Sequence, residues 1–225
     1  MTTSNIKTYR TTGWLYLAVI ICAGLSQGYI RESIVVAGDA AATAQNIIAN
    51  SGLFRMGVVL DLIAFILDAI IALLLYQIFK PFGKKLAMAS SALRLIAHPA
   101  IGSLNLLNHY MAYHVLYSGY FAETFDPTQV EAFSLMFMDA HNYGYLIAGG
   151  FFGLHLLFLG IQIIKSADIP NLFGVFLIGS AFGYLLETFV NFSYPGYEGY
   201  TALIVGIAAA IGEVSFMLYL LLKRR

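Results

Sequence analysis

The sequence predicts an all-α membrane protein, a bundle of six transmembrane helices. Two observations carry that class. Of its 225 residues 60% are hydrophobic and only 11% charged, with a mean hydropathy of +0.78, far from the surface chemistry of a soluble domain. The apolar residues also fall in long runs, at 13–30, 54–79, 85–116, 131–164, 171–191 and 200–222. Each run reaches the ~20 residues that a helix needs to cross a bilayer. The whole chain, 1–225, is expected to form a single integral membrane domain.

The first run follows Lys7 and Arg10 and so imitates a signal peptide. It continues through "GLSQGYIRES" without a small-x-small cleavage pattern, which marks it as a retained anchor. The loop after it is structured. In "GDAAATAQNIIANSG", Asp39 is placed to cap an alanine-rich stretch and "NSG" to stop it, predicting a short extracytoplasmic helix between helices one and two. Helix three is longer than a bilayer requires and contains Pro99, which removes a backbone hydrogen bond and predicts a kink. Helix four is expected to begin at "FDPTQVEAF", with Asp126 as cap and Pro127 in the first turn. Carried on to Lys165 it would be about 57 Å long, so it must protrude, tilt or break near Gly149 and Gly150. Helices five and six are joined by "SYPGYEGY", a turn at Pro195-Gly196 flanked by tyrosines suited to a membrane interface.

Basic residues set the orientation. Lys7, Arg10, Lys80, Lys84, Lys85, Lys165, Lys223, Arg224 and Arg225 fall on one side of the predicted spans. The opposite loops hold Arg31 and Arg55 together with Glu32, Asp39, Glu123, Asp126 and Glu198. The positive-inside rule then makes both termini cytoplasmic, and a bacterial inner membrane is the expected location. With Lys plus Arg equal to Asp plus Glu at 12 each and no basic run interleaved with aromatics, the composition excludes a nucleic-acid partner. A single cysteine, Cys22, excludes an internal disulfide and a thiolate metal cluster.

Ionisable groups in hydrocarbon are costly and need a partner, a polar cavity or a function. Counted from the predicted interfaces, Asp68, Arg94, His155 and Glu213 lie near mid-membrane. Asp61, Asn105, His141 and Glu187 lie nearer the outer face, with Asp139 and His109 higher still. Asp61 and Asp68 are seven residues apart on one face, and His141 and His155 differ by only about 40° around helix four. Asp139 is offset from that stripe by roughly 200°.

These eight groups are the candidate ligand pocket. Asp61, Asn105, His141 and Glu187 would line an outward-facing polar site for a small polar or amphipathic molecule, with Arg94, Asp68, His155 and Glu213 as its floor. The lipid bilayer is the expected surrounding, and a lipid is among the ligands such a site could take. An alternative is an intramembrane metal-dependent hydrolase of lipid-like substrates, with Asp61, His141 and Glu187 holding a divalent ion such as zinc. His155 or Asp139 would then act as acid or base. A third possibility is a structural subunit whose buried polar groups only pin helix packing, Arg94 pairing with Asp68 or Glu213. No P-loop, nucleophile elbow or HExxH helix is present, and no lysine is deep enough to bind retinal.

Several stretches together carry a resemblance: "VVAGDAAATAQNI", "GLFRMG" followed by Asp61, "LLLYQIFKPFGKKLAM", Arg94, "HNYG", "FFGLHLLFLG", "IPNLFG", "GYLLE" and Glu213. Through them nearly the whole chain resembles a bacterial multi-pass membrane family known as domain of unknown function 4386. The resemblance implies a six-helix membrane protein and no particular chemistry.

Overall fold

The structure is a computed structural model describing residues 3–166 and 168–223. Arg224 and Arg225, counted above among the cytoplasmic charges, lie outside the described residues. The described residues contain no strand, and the elements are eight helices in chain order. α1 runs through Thr3–Ala23, a wider π-helical stretch Gly24–Arg31, and Glu32–Ile34. α2 is Ala40–Ala49 and α3 is Ser51–Phe79, closed by the tight turn Lys80–Phe82. α4 comprises Lys84–Leu95, a π-helical stretch Ile96–Gly102, and Ser103–Tyr117. After the short α5, Gly119–Thr124, come α6, Pro127–Lys165, and α7, Asn171–Ser193. α8 comprises Glu198–Ala209, a π-helical stretch Ala210–Val214, and Ser215–Leu222.

Five of these helices are long and apolar enough to cross a membrane: Ile6–Ile34, Ser51–Phe82, Pro127–Lys165, Asn171–Ser193 and Glu198–Leu222. Their large apolar side chains, among them Trp14, Ile66, Phe182 and Leu203, point outward. In water such a surface would drive aggregation; in lipid it costs nothing. α4 was expected to be a sixth such run. It has the length, but Ser90, Ser91, Arg94, His98, Asn105, Asn108 and His109 make it more polar than the other five.

Local sequence accounts for the helix ends. Asp39 caps α2, its carboxylate accepting from the Ala42 backbone N–H at 2.9 Å. α2 is also tied to the end of α1, because Thr43 Oγ1 accepts from Val36 N–H and Asn46 donates to the Ile34 carbonyl. α6 starts at Pro127 as expected, and Gln129 reaches back to accept from the Asp126 backbone N–H at 3.0 Å, half of a capping box. Pro99 lies within the π-helical stretch of α4, where its missing N–H is absorbed by wider turns rather than by a break. α6 does not break at Gly149-Gly150; it is one helix of 39 residues, about 58 Å long. Arg31, assigned above to an outer loop, is inside α1, which runs on to Ile34.

The chain divides into two compact units. The first unit is Met1–Ala18, Ile66–Ala100 and Leu146–Arg225; the second is Val19–Phe65 and Ile101–Tyr145. In the second, Ile30, Ile34, Ile47, Phe54, Ala112 and Met138 form an apolar core, which α2 helps to close through Ile47. In the first, α6 and α7 cross so closely that a Cβ on Gly160 would stand 2.7 Å from the Gly174 carbonyl oxygen, and one on Gly174 2.7 Å from that of Gly160. Glycine at both positions is what lets the two backbones meet.

Gly160→Ala or Gly174→Ala is expected to cost about 1–3 kcal/mol through backbone displacement. It would be read as a lower midpoint of thermal loss of the monodisperse peak in detergent. Gly179→Ala is the control, since a Cβ there meets nothing within 4 Å.

Candidate functional site

Each unit holds one buried aspartate–arginine–histidine cluster. In the first unit Arg94 is 1% exposed, and every donor face of its guanidinium is used. Nε donates to Asp68 Oδ1 at 3.0 Å and Nη2 to the same oxygen, while Nη1 donates to the Tyr16 hydroxyl at 2.6 Å and to His155 Nε2 at 3.0 Å. The planar cation also lies over the Tyr16 and Phe152 rings, at 4.6 and 5.1 Å. Arginine has donors only, so His155 Nε2 must be the acceptor and the ring proton sits on Nδ1. That proton faces the Ser90 carbonyl and hydroxyl oxygens, both at 2.9 Å, and Ser90 Oγ returns a bond to the His155 carbonyl at 3.2 Å. His98 stands 3.8 Å from the second Asp68 oxygen. Glu213 accepts instead from the Tyr184 hydroxyl at 2.9 Å.

In the second unit the same three residue types recur. Arg31 Nη1 bridges Asp61 Oδ2 at 2.7 Å and His141 Nε2 at 2.9 Å, and its guanidinium lies 4.9 Å from the Tyr145 ring centre. His141 Nδ1 donates to the Asn105 carbonyl at 3.1 Å, and Asn105 Nδ2 donates back to the His141 carbonyl at 2.7 Å. Gly144 makes this exchange possible: a Cβ there would fall 2.2 Å from the Asn105 amide group. The "HNYG" stretch is thus a histidine and, three residues on, the gap through which Asn105 reaches its backbone. Gln27 donates to the Tyr145 hydroxyl at 2.9 Å, and Ser26 donates to the Gly57 carbonyl at 2.9 Å.

The two clusters differ in closure. Arg94 and His155 have all their side-chain nitrogens engaged, though Asp68 Oδ2 has no hydrogen-bond partner. In the second unit Arg31 keeps 14% of its side chain exposed, and His109, 0% exposed, has no hydrogen-bond partner at either ring nitrogen; nor does Asp61 Oδ1. His109 instead packs edge-on against Phe54 at 4.6 Å and beside the His141 ring at 4.8 Å. A buried imidazole without a partner is expensive, and such groups are rare in folded proteins.

The structure brings together Asp61, Asn105 and His141 in one unit, and Arg94, Asp68 and His155 in the other. Glu187 is half-buried on α7, in the first unit. Among the described residues the grouping able to hold an ion is Asp61, His109 and His141, whose donor atoms lie within 4.8 Å of one another. The reason is helical register: Asn105 and His109 are one turn apart on α4, so packing Asn105 on the His141 carbonyl carries His109 onto the His141 ring. Asp139 is exposed on α6.

Sequence reasoning missed Arg31, Tyr16, Ser90 and Tyr145. Arg31 had a signal: an arginine one turn after Gln27, at the end of an apolar run, is the cation that a buried Asp61 requires. The other three are ordinary residues of apolar helices until a partner helix is placed against them.

A family model for a domain of unknown function, DUF4386, matches residues 11–223. The chain belongs to this family. It is 27% identical over 160 residues to an uncharacterised protein of Archaeoglobus fulgidus, a match covering 71% of this chain and 78% of that one. No solved structure matches. The stretches that carried the resemblance include the Asp39 cap, Asp61, Arg94, Gly144, His155, the Gly160–Gly174 crossing and Glu213.

Arg94→Met alone leaves the Asp68 carboxylate buried without its cation and is expected to cost about 3–5 kcal/mol. The double variant Arg94→Met with Asp68→Leu should recover a large part of that loss. Equilibrium unfolding in mixed micelles checks both; no recovery in the double variant would mean that Tyr16 and His155 depend on Arg94 as much as Asp68 does.

Proposed function

We propose that this protein is a six-helix integral membrane protein that binds, senses or passes a small polar or amphipathic ligand at the Asp61–Arg31–His141 site. The single observation that carries the ligand reading is the contrast between the two clusters. In the Arg94 cluster both histidine nitrogens and every arginine nitrogen are engaged, and only Asp68 Oδ2 lacks a hydrogen bond, with His98 3.8 Å away. The Arg31 cluster has the same parts, including one aspartate oxygen without a hydrogen bond, but adds the wholly unpartnered ring of His109 and an arginine that is partly accessible. Nothing about helix packing calls for that difference, whereas a binding site does.

The sixth crossing in this reading is α4. Its span of 84–117 is about 51 Å long, and Met88, Ile96, Leu104 and Leu107 are exposed on it while Arg94, Asn105 and His109 are buried. That is the arrangement of a helix with lipid outside and polar groups inside. Six crossings keep the amino-terminal Lys7 and Arg10, the 80–85 basic cluster, Lys165 and Lys223 on one side, which makes that side cytoplasmic and puts α2 on the outer surface. The inner membrane of a bacterial cell is the location that fits.

Cysteine labelling tests the topology. In a Cys22→Ser background, Gly119→Cys should react with an impermeant maleimide added to intact cells and Lys84→Cys should not. Equal labelling of the two would remove α4 as a crossing.

Ligand binding is tested on the detergent-purified full chain by native mass spectrometry and by thermal shift. The panel is small polar solutes, short-chain lipids and divalent metals. A stabilising ligand should lose its effect in Asp61→Asn and His141→Gln but not in Glu187→Gln. Identical responses from all four proteins to every probe would leave the site a packing device.

A further inference from the structure

We infer that the occupant of this site is a divalent transition-metal ion of the zinc class, held by Asp61, His109 and His141, with Arg31 as a built-in cation that it displaces. The inference rests on the ligand reading above and names its chemistry.

Three features point to a metal rather than an organic solute. The first is the donor set. One carboxylate and two imidazoles, all buried, are hard-to-borderline oxygen and nitrogen ligands suited to zinc and its neighbours, and three protein ligands leave a fourth position open. The second is tautomer control. His141 donates Nδ1–H to the Asn105 carbonyl, so its Nε2 lone pair faces the site. A backbone carbonyl that holds the far nitrogen of a histidine is the usual outer support of a metal ligand. The third is His109, whose two nitrogens have no other partner and one of which lies within 4.8 Å of the Asp61 and His141 donors.

Arg31 Nη1 stands where a cation bridges the Asp61 carboxylate and the His141 lone pair. It is the charge that makes Asp61 tolerable when no metal is bound. The ion and the guanidinium compete for the same lone pairs and repel each other, so binding requires Arg31 to swing aside. Arg31 sits at the end of the π-helical stretch of α1 and keeps 14% of its side chain exposed, whereas Arg94 keeps 1%. In a tetrahedral zinc site, donors about 2.0–2.1 Å from the metal sit roughly 3.4 Å apart. The three side chains would therefore close by up to about 1.4 Å from their present 4.8 Å limit.

The experiment measures metal stoichiometry and affinity on the full chain in detergent, stripped with chelator, using Zn²⁺ and, as a spectroscopic probe, Co²⁺. Wild type should bind about one equivalent, with the intense visible bands of four-coordinate cobalt. His109→Gln and Asp61→Asn should lose the bands, and Glu187→Gln should keep them. Arg31→Gln should bind about tenfold tighter or more, because a charge-assisted competitor has been removed; misfolding cannot produce that gain. No binding by either wild type or Arg31→Gln, both monodisperse and helical, overturns the inference. So does binding that is unchanged in His109→Gln and Asp61→Asn, which would place the metal at the surface. If no metal binds but a small solute stabilises wild type and fails with Asp61→Asn, the ligand reading stands and the metal falls.

Discussion

A fully buried arginine is the constraint around which the first unit is built. Arg94 cannot lose its charge, and an unpaired guanidinium among apolar helices would cost more than a domain can spare. Its five N–H donors form a rigid fork, so satisfying them dictates where other helices come. Asp68 must arrive from α3, Tyr16 from α1 and His155 from α6, each at hydrogen-bonding distance. Ser90, one turn before Arg94 on α4, then locks the His155 ring from its other nitrogen. Four helices are thus keyed to one side chain, and close crossings such as Gly160–Gly174 fill in around that register.

The second unit repeats the chemistry with a different degree of completion. Asp61 and Asp68 are two turns apart on α3, and His141 and His155 four turns apart on α6, so each helix presents the same residue type twice on one face. The arginines come from different helices, Arg31 from α1 and Arg94 from α4, and each lies against an aromatic ring of α6, Tyr145 or Phe152. Tyr16 and Ser90 complete the hydrogen bonding of Arg94 and His155. In the Arg31 cluster His109 has no such partner at either ring nitrogen. Saturated polar clusters rigidify; incompletely satisfied ones are where binding can be favourable, because the protein has not already spent the interaction internally.

The three π-helical stretches belong to the same logic. They contain Gln27 and Arg31 in α1, His98 in α4 and Glu213 in α8, so every one carries a polar group that faces inward. An extra residue in a helical turn rotates everything beyond it, and this re-aims side chains that a uniform 3.6-residue period would send elsewhere. His109 lies beyond the π-helical stretch of α4, one regular turn after Asn105, so its place against His141 depends on which helix packs there.

By itself the sequence determined the helical class, the long apolar runs, the Asp39 cap, the Pro127 start and the need of Arg94 for a buried acid. These follow from hydropathy, capping chemistry and the intolerance of hydrocarbon for lone charges, all of which are local or depend on spacing along one helix. Tertiary structure decided which acid pairs with Arg94, that Arg31 is an interior residue rather than a loop one, and that His109 lies beside Asp61 and His141. Those outcomes depend on which helix faces which and on where a turn widens. Neighbours that are 30 to 110 residues apart in the chain, as Arg31 is from Asp61 and His141, leave no mark on the period of either helix.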